Sequence, residues 1–356
     1  MRRVAFLSAA HIHTGGFIET IRKEKLFDIV AVWDAVPKRG RMYAERAGGR
    51  FVANRRDILK DRSIEGVVIT SENTTKLPLL LDAIRAGKAI MCEKPVAMTR
   101  PGAAAIRRAM KSSRRAKLVS GYGIPYGSFG RTLKAFLASG RLGQPLSIQY
   151  RNCHQGAFAR WFDSPDLAWF TKKKLAGGGG FLDLGTHAVH FLTWLFGPVG
   201  TASAVVVNQT GSYPNIDETG RAILHFRNGV LAGVEAGWTS HAGDNPFLLT
   251  GTKGVVREAD GKLQFTPAGG KPMILRPKPG VPGGVRRLAA LMAGRIPERE
   301  WRSDVESFLL AAEAMEACYR SSSTGRTIRL ACGRAGARSA RKRWNREELY
   351  DRPVLR

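Results

Sequence analysis

The first 120 residues alternate short apolar runs with segments of helical period, and that alternation leaves few folds open. Residues 4–7, 29–33, 66–70, 89–92 and 117–120 read as strands, and helical patterns fall near 17–25, 38–47, 77–86 and 103–112. Phe51-Val52 and a short helix ending at Leu59 occupy the interval before the third of those strands. Strands that are apolar on both faces and separated by helices pair in parallel through right-handed crossovers. The expectation is a doubly wound nucleotide-binding α/β sheet, which keeps its ligands in the crevice at the carboxyl ends of its strands.

Past residue 120 the pattern changes. A helix near 132–139 precedes strand-like runs at 146–151, 202–208, 222–226, 231–236 and 247–250, one pair of which joins through a hairpin signal at Asn228-Gly229. Strands that follow one another without helices imply a second, α+β domain on an open, mainly antiparallel sheet. A Pro- and Gly-rich loop at 267–284 leads to late helices near 285–292 and 304–320. The domains expected are therefore 1–120, 121–330 and a basic, mobile tail at 331–356 that holds Arg341-Lys342-Arg343 and has no apolar period.

With 44% hydrophobic residues the chain can build ordinary cores, but its net charge of +28 and pI near 10.7 are unusual. Lys and Arg are scattered, and no nucleic-acid motif accompanies them, so the charge reads as a biased solvated surface, not a nucleic-acid site. The four cysteines form no C-x-x-C pair and signal neither zinc nor disulfides. The apolar run after Met1-Arg2-Arg3 is too short for a signal peptide, and no stretch has the length of a membrane span, which points to the cytoplasm.

Two distant stretches carry the chemistry. Gly87-Lys88-Ala89-Ile90-Met91-Cys92-Glu93-Lys94-Pro95 is a strand that stops at a proline, presenting Glu93 and Lys94 at its carboxyl end. Gly177 to Gly180 predict a flexible hairpin feeding a helix on which Asp183 and His187 share a face, the minimum kit for moving a proton near neutral pH. Taken alone, Asp183 reads more readily as an acid that offsets the helix dipole beside an incidental histidine. After the first strand Ser8-Ala9-Ala10-His11 replaces G-x-G-x-x-G, although small residues still admit a pyrophosphate at a helix N-terminus. Asp34 ends the second strand, where it serves either a cofactor ribose or a turn; Lys38, Arg39 and Arg41 leave room for a 2′-phosphate.

With Glu93-Lys94-Pro95 and Gly-Gly-Gly-x-x-x-Asp-x-Gly-x-His in this order, the chain resembles the glucose-fructose oxidoreductase, inositol dehydrogenase and rhizopine-catabolism (Gfo/Idh/MocA) family up to Leu330. The resemblance implies a Rossmann domain and NAD, less readily NADP, held by Ser8, Ala10, His11, Ile12, Asp34, Ser71, Asn73, Glu93 and Lys94. It implies catalysis by Lys94, Asp183 and His187 without a metal, on a secondary hydroxyl of a sugar, polyol or related compound. Tyr122, Arg151, His154 and Trp169 are the substrate candidates, with Trp161 and Trp238 behind them, and a homo-oligomer, dimer or tetramer, is expected. The chain departs from the family pattern at Ser8 to His11, at His190 where an acid is common, and at Tyr122 to Tyr126 where arginines are frequent. Two further readings stay open: redox-neutral glycoside cleavage with tightly bound NAD, and a non-catalytic regulator that senses a nicotinamide or sugar.

Overall fold

Strands β1 (Arg3–Leu7), β2 (Asp28–Trp33), β3 (Arg50–Phe51), β4 (Gly66–Ile69), β5 (Ala89–Cys92) and β6 (Lys117–Ser120) form one sheet in the order β3-β2-β1-β4-β5-β6. This is a computed structural model that describes residues 1–241 and 246–331. Every pair in the sheet is parallel. Helices α1 (Thr14–Lys23), α2 (Pro37–Ala47), α3 (Arg55–Lys60), α4 (Lys76–Arg85) and α5 (Arg100–Ser112) form the connections. The order reverses between β1 and β4, which opens the ligand crevice above their carboxyl ends. Val4, Phe6, Val67 and Ile69 are wholly buried, as strands covered on both faces require.

The second half is built on β7 (Pro145–Cys153), β8 (Val199–Val207), β9 (Thr219–Phe226), β10 (Leu231–Gly237), β11 (Phe247–Gly251), β12 (Gly254–Ala259), β13 (Lys262–Pro267), β14 (Met273–Ile274) and β15 (Ile328–Arg329). They run β14-β13-β12-β11-β7-β10-β9-β8-β15, with β7 and β10 parallel and the other pairs antiparallel. In β9 Ala222, Leu224 and Phe226 turn inward while Arg221, Ile223 and His225 face out, so only one face is covered. On the covered side lie α6 (Ser128–Ala138) and α8 (Gly180–Phe196), which is preceded by the single-turn α7 (Lys173–Ala176).

Sequence patterning missed β12 to β15. The first two are short and half polar, yet Asp260 and Gly261 between them hold φ of +51° and +70°, the Asp-Gly hairpin signature. The last two are two-residue edge strands too short to show a period.

Two late helices tie the halves together. From α9 (Gly284–Met292) and the first part of α10 (Glu298–Thr324), Leu288, Leu291, Val305, Phe308 and Leu309 enter the core of the parallel sheet. One turn further along α10, Ala311, Ala314, Met315 and Cys318 enter the core of the second sheet. The junction is polar and buried: Arg287 pairs with Asp304 at 2.5 Å, and Tyr126 Oη donates to the same carboxylate at 2.9 Å. No helix among the described residues is long and apolar enough to cross a membrane. The basic segment expected to be mobile lies outside the described residues from Cys332 onward.

Candidate active site

Helix α8 begins where the second sheet presses hardest on the chain. Asp217 accepts hydrogen bonds from Gly179 N at 2.9 Å, Phe181 N at 3.0 Å and Tyr319 Oη at 3.1 Å, so it caps the helix from a neighbouring segment. Its carbonyl takes Gly180 N at 2.9 Å. A Cβ on Gly179 would overlap the Asp217 carbonyl, and one on Gly180 would overlap that of Glu218. The glycine run is therefore a close-packed seat and not the flexible hairpin its composition suggested.

That seat aims Asp183 at the end of β5. Lys94 Nζ donates to Asp183 Oδ1 and, at 3.2 Å, to its carbonyl, although 89 positions separate the two residues. Trp238 Nε1 donates to the other carboxylate oxygen at 2.9 Å. On the far side Lys76, 1% exposed, donates through Nζ to the Lys94 carbonyl at 2.9 Å and to Asn73 Oδ1 at 3.2 Å. The Lys94-Pro95 peptide is cis. Sequence offered no signal for Lys76, which reads as an ordinary helix lysine.

Burial governs the charges here. It would raise the Asp183 pKa, but the Lys94 ammonium and the Trp238 N–H outweigh it and hold the carboxyl below its usual range. Burial, followed by the Lys94 charge, brings His187 down to about 3 against the pull of Asp183, so its imidazole is neutral at pH 7. Its ring nitrogens meet no protein hydrogen-bond partner among the described residues; Tyr122 approaches only edge-on, with centroids 5.7 Å apart. Burial also lowers Lys76 to about 8.

Across the crevice lies the turn after β1, where a dinucleotide-binding sheet would receive a pyrophosphate. Ser8, at φ +70°, takes the left-handed conformation usually left to glycine, and its hydroxyl donates to Asp34 at 3.1 Å. Ile12 is 54% exposed, and its backbone N–H finds no partner among the described residues, which leaves a donor at the start of α1. At the end of β2 Asp34 already has protein partners. Asp34 accepts from Ala9 N, Val36 N, Ser8 and twice from Arg39, whose guanidinium also reaches Glu72 at 2.9 Å. Ribose hydroxyls would reach Asp34 by taking over contacts that Arg39 now makes.

The profile of an oxidoreductase family with an NAD-binding Rossmann fold matches residues 9–122, and that of the GFO/IDH/MocA C-terminal domain matches residues 131–257. The chain belongs to the Gfo/Idh/MocA family. It is 26% identical over 233 residues to 1,5-anhydro-D-fructose reductase of Ensifer adhaerens, covering 64% of this chain and 67% of the relative. It is 26% identical to levoglucosan dehydrogenase of Pseudarthrobacter phenanthrenivorans, covering 56% of this chain but only 57% of that enzyme. A levoglucosan dehydrogenase complex with NADH and L-sorbose shares the fold at a TM-score of 0.73 and 19% identity, over 92% of this chain and 98% of that one.

Within this member of the family, the remaining sequence candidates fall in different places. Tyr122 is 1% exposed, bonded to Thr186 at 2.8 Å and stacked on His190 at 4.0 Å, so it backs the His187 helix. His190 takes the place of the common acid and bonds Ser307 at 3.0 Å. Arg151 pairs with Glu235 at 3.0 Å on the open face of the second sheet. Trp169 is buried and donates to the Ala10 carbonyl at 2.9 Å, packing over His11, and His154 borders Trp161. Ser71 bonds the Glu72 carbonyl, while Asn73 donates to the Ala176 carbonyl at 3.0 Å and so joins the two domains. His11, which burial holds neutral at about 3, gathers with His13 and Glu93, and His13 Nδ1 lies 2.9 Å from Glu93 Oε1. Sequence reading passed over His13, Arg39 as a partner of Asp34, and the Asp217 cap, because none follows a periodic or motif signal.

Gly179→Ala, which must displace the α8 N-terminus from its seat, is expected to lower kcat/KM about 10²-fold while cofactor affinity changes less than about threefold. Steady-state kinetics beside cofactor titration checks this, and an unchanged kcat/KM would contradict the role given to the glycine seat.

Proposed function

We propose that the protein is an NAD-dependent oxidoreductase that reversibly oxidises a secondary hydroxyl of a sugar, polyol or related compound. The observation that carries this reading is the meeting of Lys94 and Asp183 near a buried His187 whose ring nitrogens have no hydrogen-bond partner among the described residues. His187 accepts the hydroxyl proton at a ring nitrogen as the C–O bond becomes C=O. Lys94 holds the substrate oxygen and lowers the cost of its developing negative charge, while Asp183, anchored by Trp238, keeps that ammonium aimed. When bound, the nicotinamide supplies the two-electron acceptor. Ser8 to Ala10, the Ile12 N–H and the Asp34–Arg39 pair would hold the rest of the dinucleotide, with Ser71, Asn73 and Glu93 along its path.

In this reading residues 1–120 bind the cofactor and 121–330 the substrate, with α9 and α10 packed back on the first sheet. Cys92, Cys153 and Cys318 are buried and form no disulfide among the described residues, which suits a reducing cytoplasm. The open face of the second sheet exposes Val205, Ile223 and Leu248 around a cavity of about 800 Å³. A second copy of the chain would cover that face, giving a homo-oligomer.

His187→Ala is expected to cut turnover by about two to four decades with cofactor affinity nearly unchanged, and Lys94→Met to be at least as damaging. Near-native turnover in either variant on an oxidisable sugar would refute the assignment. Because His187 in the free enzyme stays neutral down to about 3, log kcat/KM should remain flat from pH 8 to about pH 5. An acid limb centred near the ordinary imidazole value of about 6.5 would mean either that burial does not hold His187 neutral or that another group is the base. Ile223→Glu should shift the sedimentation coefficient to that of a monomer, and an unchanged assembly would rule out pairing through this face.

A further inference from the structure

Exposed Phe and Trp rings are rare among the described residues and fall on one loop. Among the described residues, Phe158 and Trp161 are the only Phe or Trp side chains in the exposed class, at 39% and 44%. They lie on the loop that leaves β7, and each rests on an imidazole: Trp161 on His154 with centroids 4.5 Å apart, Phe158 on His241 at 4.1 Å and 9° from parallel. Neither belongs to the small core beneath, where Phe162, Trp169, Phe170, Tyr213 and Trp238 are buried.

The loop is fastened to the catalytic pair. His154 N donates to the Gly237 carbonyl at 3.1 Å, Ala157 N to that of Trp238 at 3.1 Å, and Ser240 N to that of His154 at 3.2 Å. Trp238 in turn holds Asp183. His154 feels both catalytic charges: burial lowers its pKa first, then Asp183 and Lys94 act on it in opposite senses. Asp183 is thus joined through Trp238 to the loop that carries His154 and the exposed Trp161.

We infer that Phe158 and Trp161, braced by His241 and His154, form a second sugar-ring subsite outside the catalytic one, so that the substrate is a two-ring carbohydrate. A pyranose has a C–H face that packs on an aromatic ring and a hydroxyl rim that bonds to imidazole and water, which matches rings left apolar on one side and backed by histidine on the other. The imidazoles hold both aromatic rings in place before a ligand arrives, which lowers the ordering cost of binding. His154 touches Trp161 and feels the Asp183 and Lys94 charges, while Trp161 and Phe158 are themselves exposed, so a sugar whose hydroxyl reaches the buried His187 would leave these two rings to a second sugar ring. This rests on the oxidoreductase reading above for the role of the inner subsite only.

Calorimetric titration of the protein saturated with NADH tests it, using glucose, galactose and mannose against the disaccharides cellobiose, lactose and maltose. At least one disaccharide should bind about tenfold or more tightly than the monosaccharides, a difference of about 1.4 kcal/mol. Trp161→Ala should remove that gain and Trp161→Phe restore most of it, with monosaccharide affinity unchanged within about twofold and the melting temperature unaltered. The inference is overturned if no disaccharide gains over its component sugars, or if the gain survives in both Trp161→Ala and Phe158→Ala. NADH formation from NAD and the same sugars reads the underlying activity separately: a binding gain without any turnover would sink the oxidoreductase reading and leave the subsite standing.

Discussion

The buried ion pair between Lys94 and Asp183 is the interaction on which the site depends. It joins the carboxyl end of a strand in one sheet to the first turn of a helix packed on the other, with side chains 6% and 14% exposed. Two charges removed from water hold each other only when geometry and further hydrogen bonds offset the loss of hydration, and breaking such a pair costs about 3–5 kcal/mol. The further bonds are present: Trp238 Nε1 on the second carboxylate oxygen, and Lys76 on the Lys94 carbonyl. Burial, with the Lys94 charge and against the pull of Asp183, keeps His187 neutral and able to accept a proton.

That pair demands a fixed relation between the two sheets, and several elements supply it. Helix α10 contributes to both hydrophobic cores along one rigid rod. On the opposite side, Thr74 N donates to the Leu175 carbonyl at 3.0 Å, Asn73 to that of Ala176 and Trp169 to that of Ala10, fastening the loops before α8 across the cofactor crevice. The price of this rigidity is a crowded cofactor end. His11 is buried beneath Trp169 and Phe170, and Asp34 is committed to Arg39, so a dinucleotide enters by exchanging contacts rather than by filling a vacant slot.

Much of the fold was legible from local pattern, because strands covered on both faces and helices with one apolar stripe are properties of neighbouring residues. The parallel strands, the antiparallel succession after residue 120 and the late helices all announced themselves that way. The short strands β14 and β15 did not, since two residues have no period, and the glycine seat was misread because composition cannot distinguish a flexible glycine from one with a carbonyl pressed against it.

For the site, the sequence by itself determined which chemistry was on offer: a lysine at the end of an apolar strand, and an acid and an imidazole one helical turn apart. Only the tertiary structure decided that these groups meet, that Trp238, Lys76 and Asp217 hold them there, and that Arg151 turns to the open face of the second sheet instead. The physical reason is range. Propensity and periodicity act over a few residues, whereas a pKa, a cap donated from another segment or an ion pair across 89 positions depends on what packs beside a group, which no local window contains.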